Sequence, residues 1–168
     1  MIYDQIIRDE EIIARILHKD WVVDGRMQIN AFALRPNETY ISVNRLVINT
    51  FTQEVTSFVK NHPGYHIPGH ELAYRQAVMN VGDVRGIRIE LGQQVLNMSV
   101  DVEPRNLHIL SHAGIFTLFE GKYIKGGQQA DVQVDDSRLM PVRAIHQKVQ
   151  YALLALSKME ECNMPVRE

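Results

Sequence analysis

His108 and His112 stand four residues apart in NLHILSHAGIF (106–116), a spacing that puts both rings on one face of a strand or of a helix. Imidazole is the side chain poised for proton transfer near neutral pH, and the small Ser111 and Gly114 leave room for a substrate to approach. Asn106 is placed to orient either ring. A second segment, WVVDGRMQINAFALRPNETYISVNR (21–45), supplies the charge. Asp24-Gly25 marks a turn that delivers Arg26 to a strand end, with Asp24 near enough to orient it, which is the pattern of an anion clamp. Arg35 and Arg45 follow in or near the next loop and strand. Arg45 shares strand parity with Ile41 and Val43, so on a buried face it requires a partner. These residues define a candidate catalytic set in which His112 is the general base or acid, His108 its partner, Arg26 the oxyanion or phosphate clamp and Asp24 the orienter. Arg26, Arg35 and Arg45 are the candidate ligand-binding cations. The plainer reading beside it is a buried histidine bonded to backbone, a type I′ turn carrying a surface arginine, and a structural ion pair.

His62, His66 and His70 recur at a fixed interval in NHPGYHIPGH (61–70). Three imidazoles can hold zinc, but Pro63, Gly64, Pro68 and Gly69 forbid the regular helix that would align them. The segment is read as a loop that gates or extends a contact surface, and no metal is assigned to it. In VGDVRGIRIE (81–90), Asp83 and Arg85 form another acid–base pair, read as structural, because Gly82 and Gly86 match no phosphate-cradling fingerprint. The chain contains no Walker A sequence, Gly-x-Ser-x-Gly elbow, His-Glu-x-x-His or Cys-x-x-Cys motif, and no cofactor is implied.

Several elements must position these residues. Residues 9–18 (DEEIIARILH) are expected as a short N-terminal helix, with Asp9 as its cap and Ile12, Ile13, Ile16 and Leu17 on one face, although a run so short also suits a strand. QINAFAL (28–34) and TYISVNRL (39–46) are expected to pair as a hairpin around a loop at 35–38. Thr50 and Gln53 have capping-box spacing ahead of a helix over 50–60, whose stripe is Phe51, Val55, Phe58 and Val59. Residues 71–80 are ambiguous between helix and strand. RGIRIEL and LNMSVDVE alternate cleanly and, joined by Gly92-Gln93-Gln94, should be antiparallel neighbours. Strands are expected at 115–119 and 130–134, separated by a Gly126-Gly127 turn. A helix over 139–159, striped by Val142, Ile145, Val149, Leu153 and Leu156, is followed by a frayed tail at 160–168 that holds Cys162. With no βαβ alternation, the fold class is α+β: one domain over 1–168, mostly an antiparallel sheet with helices packed on it.

Composition limits the function. The 168 residues carry 18 Lys+Arg against 20 Asp+Glu, a net charge of −2, and are 45% hydrophobic. That composition suits a folded core and removes the electrostatic case for an extended nucleic-acid surface. One cysteine rules out an internal disulfide framework. Arginines number 12 and lysines 6, a bias toward the side chain that recognises carboxylate and phosphate bidentately. MIYDQIIRDEEII has acidic residues where a signal peptide needs a basic segment, and no stretch nears the ~20 apolar residues of a spanning helix, so the expected location is the cytoplasm, away from membranes.

The arrangement DGRMQINAF…ISVNR, with NLHILSHAGI far downstream, resembles a group of small bacterial proteins. These share a DGR…AF…(I/L)SV stretch and a later N…HA-aliphatic stretch, matched here over residues 12–46 and 104–116. The resemblance implies that Asp24, Gly25, Arg26, Phe32, Ser42, His112 and Ala113 belong together in space. The group carries no assigned activity, so no reaction follows from it. The functional expectation is a binding or interaction module that recognises a partner protein or a small anionic ligand, with room for a homo-oligomer. Its alternative is a metal-independent His/Arg hydrolase or phosphoryl-transfer enzyme acting on a phosphoester.

Overall fold

The computed structural model describes residues 6–102, 109–128 and 130–165. In chain order these form β1 (Ile12–Ile16), the hairpin β2 (Val22–Val23) and β3 (Arg26–Met27), β4 (Tyr40–Arg45), α1 (Phe51–Asn61), β5 (His66–Ile67), β6 (His70–Asn80), α2 (Val81–Arg85), β7 (Arg88–Leu91) and β8 (Gln94–Val102). There follow β9 (His112–Phe119), β10 (Lys122–Tyr123), β11 (Asp131–Asp135), β12 (Arg138–Pro141), α3 (Val142–Leu156) and β13 (Lys158–Asn163). One antiparallel sheet runs β13-β6-β1-β4-β9-β8-β7, with β5 and β10 added beside β6 and β9. The architecture is α+β, as the interrupted strand pattern requires. Among the described residues no helix is long and apolar enough to cross a membrane.

Both faces of the central strands are covered. On one, Ile13, Ile41, Val43, Ala77, Met79, Val100 and Ile115 meet Val81 and Val84 of α2 and Val142, Ile145, Val149 and Leu153 of α3. On the other, Ile16 and Tyr74 meet Val55 and Val59 of α1 and Met164. Each such valine, leucine, isoleucine or methionine side chain contributes roughly 1.5–3 kcal/mol on full burial.

This two-sided cover corrects the reading of the N-terminal segment as a helix. A strand buried on both faces reads as a continuous apolar run, and IIARI pairs with both β4 and β6. The expected hairpin between 28–34 and 39–46 is absent: Ile29–Phe32 form a 3-10 turn, and the neighbours of β4 are β1 and β9. The ambiguous 71–80 segment lies in β6, and β7 and β8 pair as expected. α1 lies where its stripe put it, but its Thr50 hydroxyl donates to Glu54 Oε1 (2.6 Å), with no side-chain bond to the helix backbone. α3 is shorter than the predicted 139–159, and Leu156 at its end is exposed. The stretch read as a frayed tail is instead β13 through Asn163, paired along β6. There Cys162 lies opposite Tyr74 and shares a hydrogen bond with it, and burial pushes the titration of both groups up. Arg85 pairs with Asp9 (2.7 Å) and the Val100 carbonyl (2.9 Å), so its acidic partner comes from far along the chain.

Candidate functional site

The alternation of β4 divides YISVNR into two sets. Ile41, Val43 and Arg45 are buried, whereas Tyr40, Ser42 and Asn44 are half-buried and line a cavity. Opposite them on β9 stand Phe116, Gly114 and His112, in the pairs Tyr40↔Phe116, Ser42↔Gly114 and Asn44↔His112. Because Ser42 faces a glycine, no side chain fills the space above that pair. His112 leans across the diagonal into it, and its Nε2 shares a hydrogen bond with Ser42 Oγ. A Cβ on Gly114 would lie 2.8 Å from the Tyr40 ring, which itself sits edge-on to His112 with centroids 6.1 Å apart.

The backbone entering β9 is fixed from two sides. Ser111 N–H donates to Glu54 Oε1 (3.0 Å), and Ser111 Oγ accepts from Asn44 Nδ2 (2.9 Å). The Ser111 carbonyl accepts from Arg45 N–H (2.7 Å), and His112 N–H donates to the Ile109 carbonyl (3.0 Å). Glu54 of α1 therefore positions His112 through the residue before it.

Arg15 reaches the same cavity from β1. Its Nε donates to the Ala31 carbonyl (2.6 Å), its Nη1 to the Ser42 carbonyl (2.8 Å), and its Cζ lies 4.8 Å from the centre of the Trp21 ring. Among the described residues no carboxylate lies within ion-pair distance of it. Burial lowers its guanidinium to about 10, still well above neutral pH, so the group remains cationic. Arg35 and Glu38 line the rim, on a short loop in which Arg35 N–H donates to Glu38 Oε1 (2.8 Å). Gly126 clasps that loop: its N–H donates to the Glu38 carbonyl and its carbonyl accepts from Asn37 N–H, each at 2.8 Å. A Cβ at Gly126 would overlap the Arg35 carbonyl.

The cavity, about 610 Å³, is completed by His18, Phe58, His62 and Tyr65. His18 Nδ1 accepts from Asp20 N–H (3.1 Å), His62 Nδ1 meets the Phe58 carbonyl (2.7 Å), and His66 Nε2 meets the Val59 carbonyl (2.8 Å). His62 and His66 thus occupy the last carbonyls of α1, a common end for a helix. Among the described residues no group of three His, Cys, Asp or Glu is arranged to hold a metal ion.

Of the residues expected from sequence, the structure brings His112 and Arg35 to the cavity. Arg26 and Asp24 do not join them. Asp24 (φ 51°) and Gly25 (φ 74°) form the tight turn between β2 and β3, Arg26 is exposed beyond it, and none of the three lines the cavity. Arg45 is corrected from ligand residue to structural cation: it is 1% exposed and held by both Glu11 oxygens. His108 and Asn106 lie outside the described residues. Of the residues that the resemblance groups together, Ser42 and His112 share a hydrogen bond and Ala113 lies opposite Val43, while Phe32 is buried in the core.

No family model, curated protein or solved structure matches the chain. The site is therefore read from its own chemistry. Sequence reasoning passed over Arg15, because its segment resembled a helix, and gave Ser42 no chemical role, because a lone strand serine carries no spacing signal. The usable clue was parity: once Arg45 is buried, Ser42 and Tyr40 must face the other way.

Proposed function

We propose that the protein binds a small anionic molecule in the cavity beneath α1, at the end of β1 and the start of β4. The observation that carries this reading is Arg15, a partly buried cation anchored on two carbonyls and facing a cavity, with no carboxylate of the described residues within ion-pair distance and Glu38 acting on it only from farther off. Carbonyls solvate a desolvated cation without neutralising it, and an anionic ligand in direct contact relieves the remaining cost. Arg35 and Glu38 share the rim, so Arg15 supplies the surplus positive charge, and a cavity of about 610 Å³ is of a size that suits a small ligand. Isothermal titration with inorganic phosphate tests the reading. Arg15→Met should weaken binding at least ~10-fold, the value of one charge-assisted hydrogen bond, while Arg26→Met should leave it unchanged. Equal binding by Arg15→Met and the unaltered protein would refute the proposal.

The Ser42–His112 hydrogen bond favours a second reading, turnover of a phosphoester in the same cavity. In it, His112 Nε2 accepts the hydroxyl proton as Ser42 Oγ forms a bond to phosphorus. The bond from phosphorus to the leaving oxygen breaks, and His112 returns the proton to that oxygen. His112 then takes a proton from water as the water oxygen bonds to phosphorus, the bond from phosphorus to Ser42 Oγ breaks, and the proton returns to Oγ as phosphate leaves. Arg15 and Arg35 take the charge-stabilising place that the sequence reading gave Arg26, and Ser42 takes the place given to His108. Hydrolysis of p-nitrophenyl phosphate that is abolished by Ser42→Ala and by His112→Ala supports turnover. Rates unchanged in both variants remove it and leave the binding reading intact.

A further inference from the structure

We propose that the anion bound by this cavity is a phosphomonoester carrying a flat aromatic ring, with the ring seated on the wall formed by His18, Phe58, His62 and Tyr65. The inference rests on the anion-binding reading above and adds the ligand's other end. That wall is preorganised. His62 stacks on Phe58 with centroids 4.3 Å apart and planes at 23°, and Tyr65 meets Phe58 edge-on at 4.8 Å. His18 meets Tyr65 edge-on at 5.1 Å, and Trp21 braces Tyr65 from behind at 6.0 Å. Gly64 lets the assembly close, because a Cβ there would lie 2.5 Å from His18 Nε2. Rings held by other rings lose little freedom when a further ring is added.

The same four side chains remain half-buried or exposed while lining the cavity. Size points the same way. A small molecule's atoms displace water at roughly 30 Å³ per water, so a bare phosphate fills a minor part of about 610 Å³. Arg15, Arg35 and Glu38 form the charged lining and the four rings the aromatic lining of one continuous space. An aryl phosphate matches both, and aromatic side chains recognise the face of any flat ring.

Titration of the whole protein with inorganic phosphate, phenyl phosphate and cyclohexyl phosphate tests the proposal. Phenyl phosphate should bind at least ten-fold more tightly than phosphate and several-fold more tightly than its saturated analogue. Phe58→Leu and Tyr65→Leu, which keep apolar volume and remove a ring, should erase that preference and retain phosphate binding. Equal affinity for phosphate and phenyl phosphate would overturn the ring and spare the Arg15 reading. Equal affinity for the phenyl and cyclohexyl compounds, or an unaltered preference in both leucine variants, would also overturn the ring. Failure of all three probes to bind would refute both readings.

Discussion

Glu11 holds the Arg45 guanidinium with both carboxylate oxygens, Nε to Oε1 and Nη2 to Oε2, each at 2.8 Å, where the two side chains are 1% and 8% exposed. Arg15, by contrast, is anchored on carbonyls and faces the cavity. One arginine is neutralised by a buried carboxylate, whereas the other is held by carbonyls at a cavity wall. The difference was only half legible in the sequence. Strand parity with Ile41 and Val43 marked Arg45 as buried and in need of a partner, but nothing local pointed to Glu11, which lies 34 residues away. Removing one member of a buried pair strands the other charge, at a cost of about 3–5 kcal/mol. Glu11→Leu and Arg45→Met should each destabilise the protein by that order in urea unfolding, and the double variant should be more stable than either. Losses under about 1 kcal/mol in both single variants would mean that water reaches the pair and that the burial argument fails.

At the scale of elements, legibility followed hydrophobic period. α1, α3 and the β7–β8 pair are each amphipathic, and their patterns predicted them. The centre of the sheet was not legible in this way, because β1 is covered on both faces and its single polar residue, Arg15, sets no alternation that would reveal a period. The 3-10 turn at Ile29–Phe32 read as a strand because short apolar segments alternate in either form, and it is held by α3 rather than by a strand partner. His146 of α3 donates from Nε2 to the Phe32 carbonyl (3.2 Å), and Gln150 donates to the Ile29 carbonyl (3.0 Å). Burial lowers the pKa of His146 below its ordinary 6.5, the Phe32 contact offsetting only part of the effect, and among the described residues nothing hydrogen-bonds to its Nδ1. The unfolded chain therefore takes up this proton at a higher pH than the folded one. His146 costs no stability above about pH 6.5, and stability falls as the pH drops below that value, by at most about 1.4 kcal/mol per pH unit, until the folded-state pKa is reached. His146→Gln keeps a donor for Phe32 and cannot titrate. Chemical denaturation between pH 7.5 and 5 should show a shallower decline for this variant than for the native protein. Parallel curves would show that His146 does not titrate in this window.

For the whole molecule, the last strand decides how much of the architecture stands. KMEECN looked like a charged tail, yet Met159 and Cys162 turn inward while Lys158, Glu160 and Glu161 face solvent, the composition by which an edge strand discourages further pairing. β13 covers β6 from Ala73 to Val78, and Met164, 3% exposed, closes the smaller core over Ile16, Val55, Val59 and Tyr74. That core supports the cavity, since Ile16 and Val55 also line it. Ending the chain after Ser157 would bare the long β6 edge and remove Met164, whose burial alone is worth roughly 1.5–3 kcal/mol. The truncated protein should lose about 3 kcal/mol or more in urea unfolding and should self-associate with rising concentration in light scattering, because an uncovered strand edge offers its backbone groups to another chain. A truncated protein that stays monomeric and within about 0.5 kcal/mol of the full chain would show that β13 only decorates the sheet. The cavity would then owe its floor to β1 and α1 alone.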